Sequence, residues 1–377
     1  MRFHVPTQII FHSGALARLR GLVKREYRVT RLLLVTDQGI IQSGIAEKVI
    51  SHIPDMDIFD EIEPNPKSTT INRGGELVRT IKPELIIGLG GGSSLDAAKA
   101  IALLATNPQT IEEYEGKQMY THPPLPMIAI PTTCGTGSEV TWVSVITDTR
   151  RNFKMSIKGP HMFPRAALID PDLLVSLPPS LVASTGLDAL THALEAYTVN
   201  QRTPITDILA REALLLIYHS LLPAYEDISS NTQARENLML GSTLAGMAFG
   251  NSDVGAVHCL AETIGGLFNV PHGVANSIFL PFVMEYNLPA VKDRYATIAR
   301  FLQLSQDTDD IAAKVLIEKI KSLSSLLNIP SFRSLSIPED RFLDIAERSV
   351  QNNSNASNPR VVTSSDYVSL LRAAAGH

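Results

Sequence analysis

The sequence is short of cysteine and tryptophan, with 2 cysteines and 1 tryptophan in 377 residues. Cys134 and Cys259 cannot build a disulfide framework, so a reducing cytoplasm is the expected compartment. Neither sign of charge is in excess. The 33 basic and 38 acidic residues leave a net charge of −5. A pI near 6.1 provides no electrostatic footprint for nucleic acid. Long apolar runs are also missing. The stretch Ile81 to Leu89 is broken by Lys82, Pro83 and Glu84, and nothing approaches the roughly 20 apolar residues that span a bilayer. Met1 to Leu19 contains His4, Gln8 and His12, so no secretory leader is expected. These absences disfavour a disulfide scaffold, a membrane protein, a fibre and a basic nucleic-acid binder. What is present is ordinary globular usage, 44% hydrophobic and 19% charged, with length enough for about two domains.

The two halves are patterned differently. Arg31 to Thr36, Leu85 to Leu89, Met127 to Ile130 and Ala166 to Ile169 are short β-branched or aliphatic runs. Between them, Ala15 to Glu26, Thr69 to Ile81 and Ser94 to Ala105 carry apolar residues at helical spacing. This alternation predicts a parallel sheet covered on both faces. Around Leu177-Pro178-Pro179-Ser180 the strands stop. Helical periodicity then runs through Ser184 to Val199, Ile205 to His219, Ala234 to Gly250, Val257 to Leu267 and Ile311 to Leu327. The expected division is an α/β domain over 1–180 and an all-helical domain over 181–377. Gln351 to Asn358 is a polar loop, and Asp366 to Ala375 a last short helix.

Leu85 to Asp96 reads LIIGLGGGSSLD. A buried strand enters three glycines and then a helix, for which Ser93 or Ser94 is the expected cap. Glycines allow close backbone approach, and a helix N-terminus offers free N–H donors to a phosphate. The strict G-x-G-x-x-G spacing fails, because Gly88, Gly90 and Ser93 occupy its three positions. The acidic residue that usually follows the loop is replaced by one that precedes it, Asp37. Its carboxylate would accept from ribose hydroxyls and repel an added phosphate, which favours NAD over NADP. A tight turn that binds nothing is the alternative. Pro131 to Glu139 forms a second polar loop, also at the end of a strand.

Of 10 histidines, His4, His12, His52, His122, His161, His219 and His377 have no partner at ligand spacing. Asp188 and His192 are four apart and share one helix face. His258 lies among small residues, and His272 follows Pro271 at the start of a new helix. One carboxylate and three imidazoles suit Fe(II) or Zn(II) if the helices converge. Glu195 shares the face of His192, and Glu262 is four past His258, so either is a candidate fifth ligand or outer partner. For Glu195 a surface or interhelical charge is the favoured reading. Cys259 points away and reads as core.

These residues resemble the group III, iron-containing alcohol dehydrogenase family. The resemblance rests on Phe3 to Gly14, Pro64-Asn65-Pro66, Gly90 to Ser93 with Asp96 and Lys99, Pro131 to Glu139, Gly186 to Tyr197, His258 through Gly273, and Asn358-Pro359-Arg360. His12 stands where the family usually has a glycine. The resemblance implies a dehydroquinate synthase-like architecture: a dinucleotide-binding α/β domain, then an all-α metal domain, with catalysis in the cleft between. It implies that Asp188, His192, His258 and His272 hold the metal. It implies NAD contacts at Asp37, Asn65, Gly91, Gly92, Ser93, Thr132, Thr133, Thr136, Thr141, Val145 and Lys154. Many members carry a second histidine where this chain has Glu262, so Glu262 and His272 are the expected catalytic positions.

The expected function is therefore an NAD-dependent, iron-containing alcohol dehydrogenase, with zinc as the other candidate metal. It would interconvert a small alcohol and its aldehyde or ketone. A homodimer or higher homo-oligomer is expected, with no nucleic-acid or membrane partner. The nearest alternative is a glycerol-type, zinc-dependent polyol dehydrogenase. A dehydroquinate synthase-like lyase would need Lys and Arg around the metal motifs, which carry mostly Ala, Leu, Phe and Gly. A metal hydrolase with a nucleotide module would leave Asp37 with no role.

Overall fold

The computed structural model describes residues 3–376, so His377 lies outside it. The described chain divides into two compact units. One is His4–Leu177 with Ile228–Met239. The other is Phe3, Pro178–Asp227 and residues 240–376.

The first unit is built on a six-stranded sheet. Its strands are β1 (Gln8–Phe11), β2 (Leu32–Val35), β3 (Asp57–Phe59), β4 (Leu85–Gly90), β6 (Met127–Pro131) and β9 (Ala166–Ile169). A separate three-stranded sheet joins β5 (Gly116–Lys117), β7 (Val143–Asp148) and β8 (Phe153–Lys158). The large sheet has the order β1-β9-β6-β4-β2-β3 and is parallel throughout. Its helices are α1 (Leu19–Gly21), α2 (Gln38–Gln42), α3 (Ile45–His52), α4 (Ser68–Ile81) and α5 (Gly92–Leu104). Period-2 alternation explains the uninterrupted apolar strands. Leu32 and Leu34 join one buried cluster with Leu19, Val49 and Ile87. Leu33 and Val35 join another with Ile86, Leu95 and Ile101. Both faces are covered, so neither can be polar.

The strand order sets the position of the site. After β2 the chain places β3 on one side of it, then returns to place β4 on the other. The reversal opens a crevice at the carboxyl ends of β2 and β4, where open α/β sheets bind ligands. Asp37 follows one of these strands and Gly91 the other.

All four strand readings coincide with β2, β4, β6 and β9 to within a residue. The β7–β8 hairpin was not anticipated, although β7 alternates half-buried and buried residues along its length. The stretch Ala15 to Glu26 is not one α-helix. It runs as a 3-10 turn, the short α1, and a π-helical turn over Leu22–Tyr27. Its start is fixed by Asp170, whose carboxylate accepts from the N–H groups of Gly14 (2.9 Å) and Leu16 (3.0 Å). The expected serine cap of α5 is also absent. Gly91 precedes the helix and no side chain caps it.

One buried cation organises the second loop. Lys99, on α5, is 2% exposed. Its ammonium donates to Ser138 Oγ (2.7 Å), Thr141 Oγ1 (3.1 Å) and the Val143 carbonyl (2.7 Å). Asp96 lies 3.6 Å away. Burial pushes the Lys99 pKa down against the pull of Asp96 and Glu139.

The second unit is helical: α6 (Pro179–Thr198), α7 (Pro204–Glu226), α8 (Thr232–Ser252, of which residues 232–239 belong to the sheet unit), α9 (Ala256–Phe268), α10 (His272–Phe301), α11 (Asp309–Leu326), α12 (Phe342–Gln351) and α13 (Ser364–Ala375). α7 and α13 start on reciprocal caps, Thr203 with Thr206 and Thr363 with Asp366. α6 is buried on nearly every face from Val182 onward. This all-round burial explains why its apolar positions do not form a narrow stripe. Among the described residues no helix is long and apolar enough to cross a membrane.

The Lys99 network gives the first prediction. Lys99→Met keeps the stem packing but leaves Ser138, Thr141 and the Val143 carbonyl without their donor. The expected cost is about 1–3 kcal/mol, read from the urea midpoint of unfolding. An unchanged midpoint would show that the network is not what holds this loop.

Candidate metal centre and nucleotide loop

The four residues with metal-ligand chemistry come from three helices of the helical unit. Asp188 and His192 are one turn apart on α6. His258 is in the first turn of α9, and His272 is the first residue of α10. One ligand atom from each lies within 4.8 Å of all the others. His192 Nδ1 is 3.9 Å and His272 Nε2 is 3.7 Å from Asp188 Oδ1. Asp188, His192 and His258 are buried, and His272 is half-buried.

Asn276 sits among them, four past His272 on α10. Its amide nitrogen lies 2.6 Å from Asp188 Oδ1, 3.2 Å from His258 Nε2 and 3.1 Å from His272 Nε2. Phe249 stacks on His192 with ring centroids 4.3 Å apart. Imidazole nitrogens and a carboxylate oxygen converge on one buried point. That is costly without a cation and favourable with one. The donor set, nitrogen and oxygen with no thiolate, fits a divalent first-row metal.

Local packing explains how α10 starts so close to α6. A Cβ on Gly273 would lie 2.4 Å from the Ser184 carbonyl oxygen. Only glycine permits this approach, which brings His272 to Asp188.

Glu195 is not a surface charge but an interhelical one, joining α6 to the start of α9 as an outer partner of His258. It is 4% exposed, and its carboxylate lies 2.5 Å from His258 Nδ1. It also accepts from the N–H groups of Gly255 (2.8 Å) and Val257 (2.9 Å). Burial works to lower the His258 pKa. The charge and hydrogen bond of Glu195, aided by Asp188 and Glu262, hold it above its ordinary value. Glu262 is half-buried, and its Oε2 accepts from Asn352 Nδ2 at 2.6 Å. Cys259 is fully buried.

In the sheet unit, Asp37 and the glycine loop are adjacent. Asp37 Oδ1 accepts from Ile40 N–H (3.0 Å) and so caps α2. Its Oδ2 accepts from Ser94 Oγ (2.8 Å). Gly90 has φ +140, and a Cβ there would meet Ser94 and Asp37. Thr133 and Thr136 pack against Gly91 and Gly92 so closely that a Cβ on Gly92 would lie 2.4 Å from Thr136 Cγ2. Thr132 Oγ1 is buried without a partner. Thr141 is engaged by Lys99, and Val145 N–H donates to Asp96 Oδ2 (2.9 Å). Asn65 has a left-handed backbone, φ 54, and its carbonyl accepts from Thr147 Oγ1 (3.4 Å). Lys154 stands on β8 opposite Thr147.

Comparison with known proteins agrees with this arrangement. Residues 6–171 match the model for iron-containing alcohol dehydrogenase. Residues 182–375 match that for the Fe-containing alcohol dehydrogenase family, C-terminal. The chain belongs to the iron-containing alcohol dehydrogenase family. Like others in that family it is an alcohol oxidoreductase. It is 39% identical to the 1,3-propanediol dehydrogenase of Citrobacter freundii, over 91% of each chain. The crystal structure of a 1,3-propanediol oxidoreductase superposes with a TM-score of 0.95, at 36% identity over 99% of each chain. That of a sulfoacetaldehyde reductase from Bifidobacterium kashiwanohense in complex with NAD+ gives 0.90, at 28% identity over 99% of this chain and 98% of that one.

Two participants in this iron-containing alcohol dehydrogenase site escaped the sequence reading. Asn276 was findable, since it follows His272 by one helical turn. Phe249 carries no spacing signal, because α8 is bound to the site only by tertiary packing. A second prediction follows from Gly273. Gly273→Ala should force α10 away from α6, at a cost of about 1–3 kcal/mol, and should weaken metal binding at the same time. A normal melting temperature with normal metal content would refute the steric account.

Proposed function

We propose that this protein is an NAD-dependent, metal-containing alcohol dehydrogenase that interconverts a small alcohol and its aldehyde or ketone by hydride transfer. The observation that carries this reading is the convergence of Asp188, His192, His258 and His272 in a chain of this family. These four would hold Fe(II), with Zn(II) the other candidate. The metal supplies Lewis acidity for charge developing on the substrate oxygen, and NAD supplies the hydride acceptor.

The chain's own residues bind and orient. Asp37 accepts from the ribose hydroxyls, while its charge disfavours a 2′-phosphate. Gly91, Gly92 and Ser93 offer backbone N–H groups at the start of α5 to the pyrophosphate. Thr132, Thr133 and Thr136 line the neighbouring strand end, with Asn65 and Lys154 beyond. The polar atoms of Thr141 and Val145 are already engaged, so these two contribute mainly shape. Asn276 donates to Asp188 and keeps its carboxylate turned toward the cluster. Glu262 is one turn past His258, with one oxygen held by Asn352. Its other oxygen is the base that takes the alcohol proton, directly or through water. We place the catalytic roles on Glu262 and on His272, the half-buried ligand. The division into a nucleotide-binding unit and a metal-binding unit belongs to the same reading.

The direct test strips the protein with a chelator and reconstitutes it separately with Fe(II) and Zn(II). A panel of alcohols, diols and aldehydes is then assayed with NAD and with NADP. Metal-dependent reduction of NAD by an alcohol is expected, and turnover by the fully stripped protein would sink the reading. His272→Ala should lose tightly bound metal while remaining folded. Asp37→Asn keeps the cap on α2 and removes the charge. It should raise the use of NADP relative to NAD by about tenfold, or 1.4 kcal/mol. Unchanged preference would mean that Asp37 does not face the ribose. Glu262→Gln should lower turnover about a hundredfold or more with metal content unchanged, whereas normal turnover would remove Glu262 from the mechanism.

A further inference from the structure

The proposed function leaves one buried carboxylate of the helical unit without a task. Glu195 approaches His258 on Nδ1, the ring nitrogen remote from the cluster. The other nitrogen, Nε2, lies 3.2 Å from Asn276 Nδ2, among the ligand atoms. We propose that Glu195 is a positioning residue that fixes the tautomer and direction of His258, so that Nε2 presents its lone pair to the metal. This inference rests on the reading that the cluster holds a metal.

A neutral imidazole carries one N–H. An ionised carboxylate 2.5 Å from Nδ1 is a strong acceptor and places the proton there. The opposite tautomer would aim Nε2–H into the ligand atoms. It would also set a carboxylate oxygen against the Nδ1 lone pair at 2.5 Å, exchanging a charge-assisted hydrogen bond for repulsion. The same two oxygens take the N–H groups of Gly255 and Val257. The first turn of α9 and the imidazole it carries are therefore referenced to one rigid group on α6, the helix that also bears Asp188 and His192. Space for this is reserved at Gly255. A Cβ there would come within 3.0 Å of Glu195 Oε1 and 2.9 Å of Asn358 Oδ1.

A competing account makes Glu195 only a cap for α9. The two differ in what they change. Loss of a cap lowers the stability of the metal-free protein, whereas loss of positioning weakens the metal and alters its ligand field. Neither orientation of glutamine reproduces the carboxylate. One leaves an amide N–H against the Val257 N–H. The other leaves it against Gly255 N–H and His258 Nδ1.

The experiment uses full-length protein, stripped and titrated with Co(II) against a chelator, with the visible absorption of the bound ion recorded. Melting of the metal-free form is measured in parallel. Glu195→Gln should weaken Co(II) binding by about 10–100-fold and shift the absorption bands. In the His258→Ala background it should cost no further affinity, since its effect passes through His258. Binding within twofold of the parent with an unshifted spectrum, alongside a lower metal-free melting point, would overturn the proposal in favour of the cap. If Glu195→Gln does not fold, Gly255→Ala serves, because it presses on the same carboxylate; an unshifted Co(II) spectrum there would overturn the proposal. If the parent binds no Co(II), or His258→Ala binds it normally, the metal reading itself fails.

Discussion

Burying a charge is costly unless its hydrogen-bonding capacity is filled, and this constraint shapes both units. In each, an ionised side chain in the interior recruits backbone from a distant loop or helix start. Asp170 gathers the start of the segment at Gly14 and Leu16. Lys99 gathers Ser138, Thr141 and the start of β7. Glu195 gathers Gly255, Val257 and His258. Each requirement is met by groups far away in sequence, so filling it also fixes where a functional segment lies.

The tail shows the same logic in neutral form. Asn358 Oδ1 accepts from Ala256 N–H (3.2 Å) and from Asn287 Nδ2 (3.0 Å), and its own amide donates to Asn287 Oδ1 (2.8 Å). Asp253, at φ 124, is the strained residue just before this helix start. Its carboxylate takes the hydroxyls of Ser354 (2.8 Å) and Ser357 (2.6 Å). The Ser/Asn-rich stretch that reads as a mere polar loop is thus a clamp on the beginning of α9. Its polarity reflects buried partners rather than solvent.

The sheet was legible because a strand covered on both faces must be apolar throughout, and few other structures tolerate such runs. Ligand convergence was legible because Asp188 and His192 sit at helical spacing and His272 follows a helix-starting proline. The role of Glu195 was not. Charge argues for the surface, and only the partners supplied by α9, some sixty residues on, reverse that argument. The expected serine cap of α5 fails for a local reason. The helix begins at Gly92, so Ser93 and Ser94 stand inside its first turn, and the Ser94 hydroxyl donates to Asp37. The π-helical turn after Gly21 left no periodic trace at all.

The pairing of β1 with β9 bears on how the chain is made. Gln8 stands opposite Ala166 in a parallel register, so β1 has no sheet neighbour until β9, much later in the chain, is synthesised. At about 5–20 residues per second, that is a wait of roughly ten to thirty seconds. During it, a short strand with exposed and half-buried residues must avoid other partners. Its brevity, and the polar Gln8 and His12 at its ends, suit a segment that spends the start of its life unpaired.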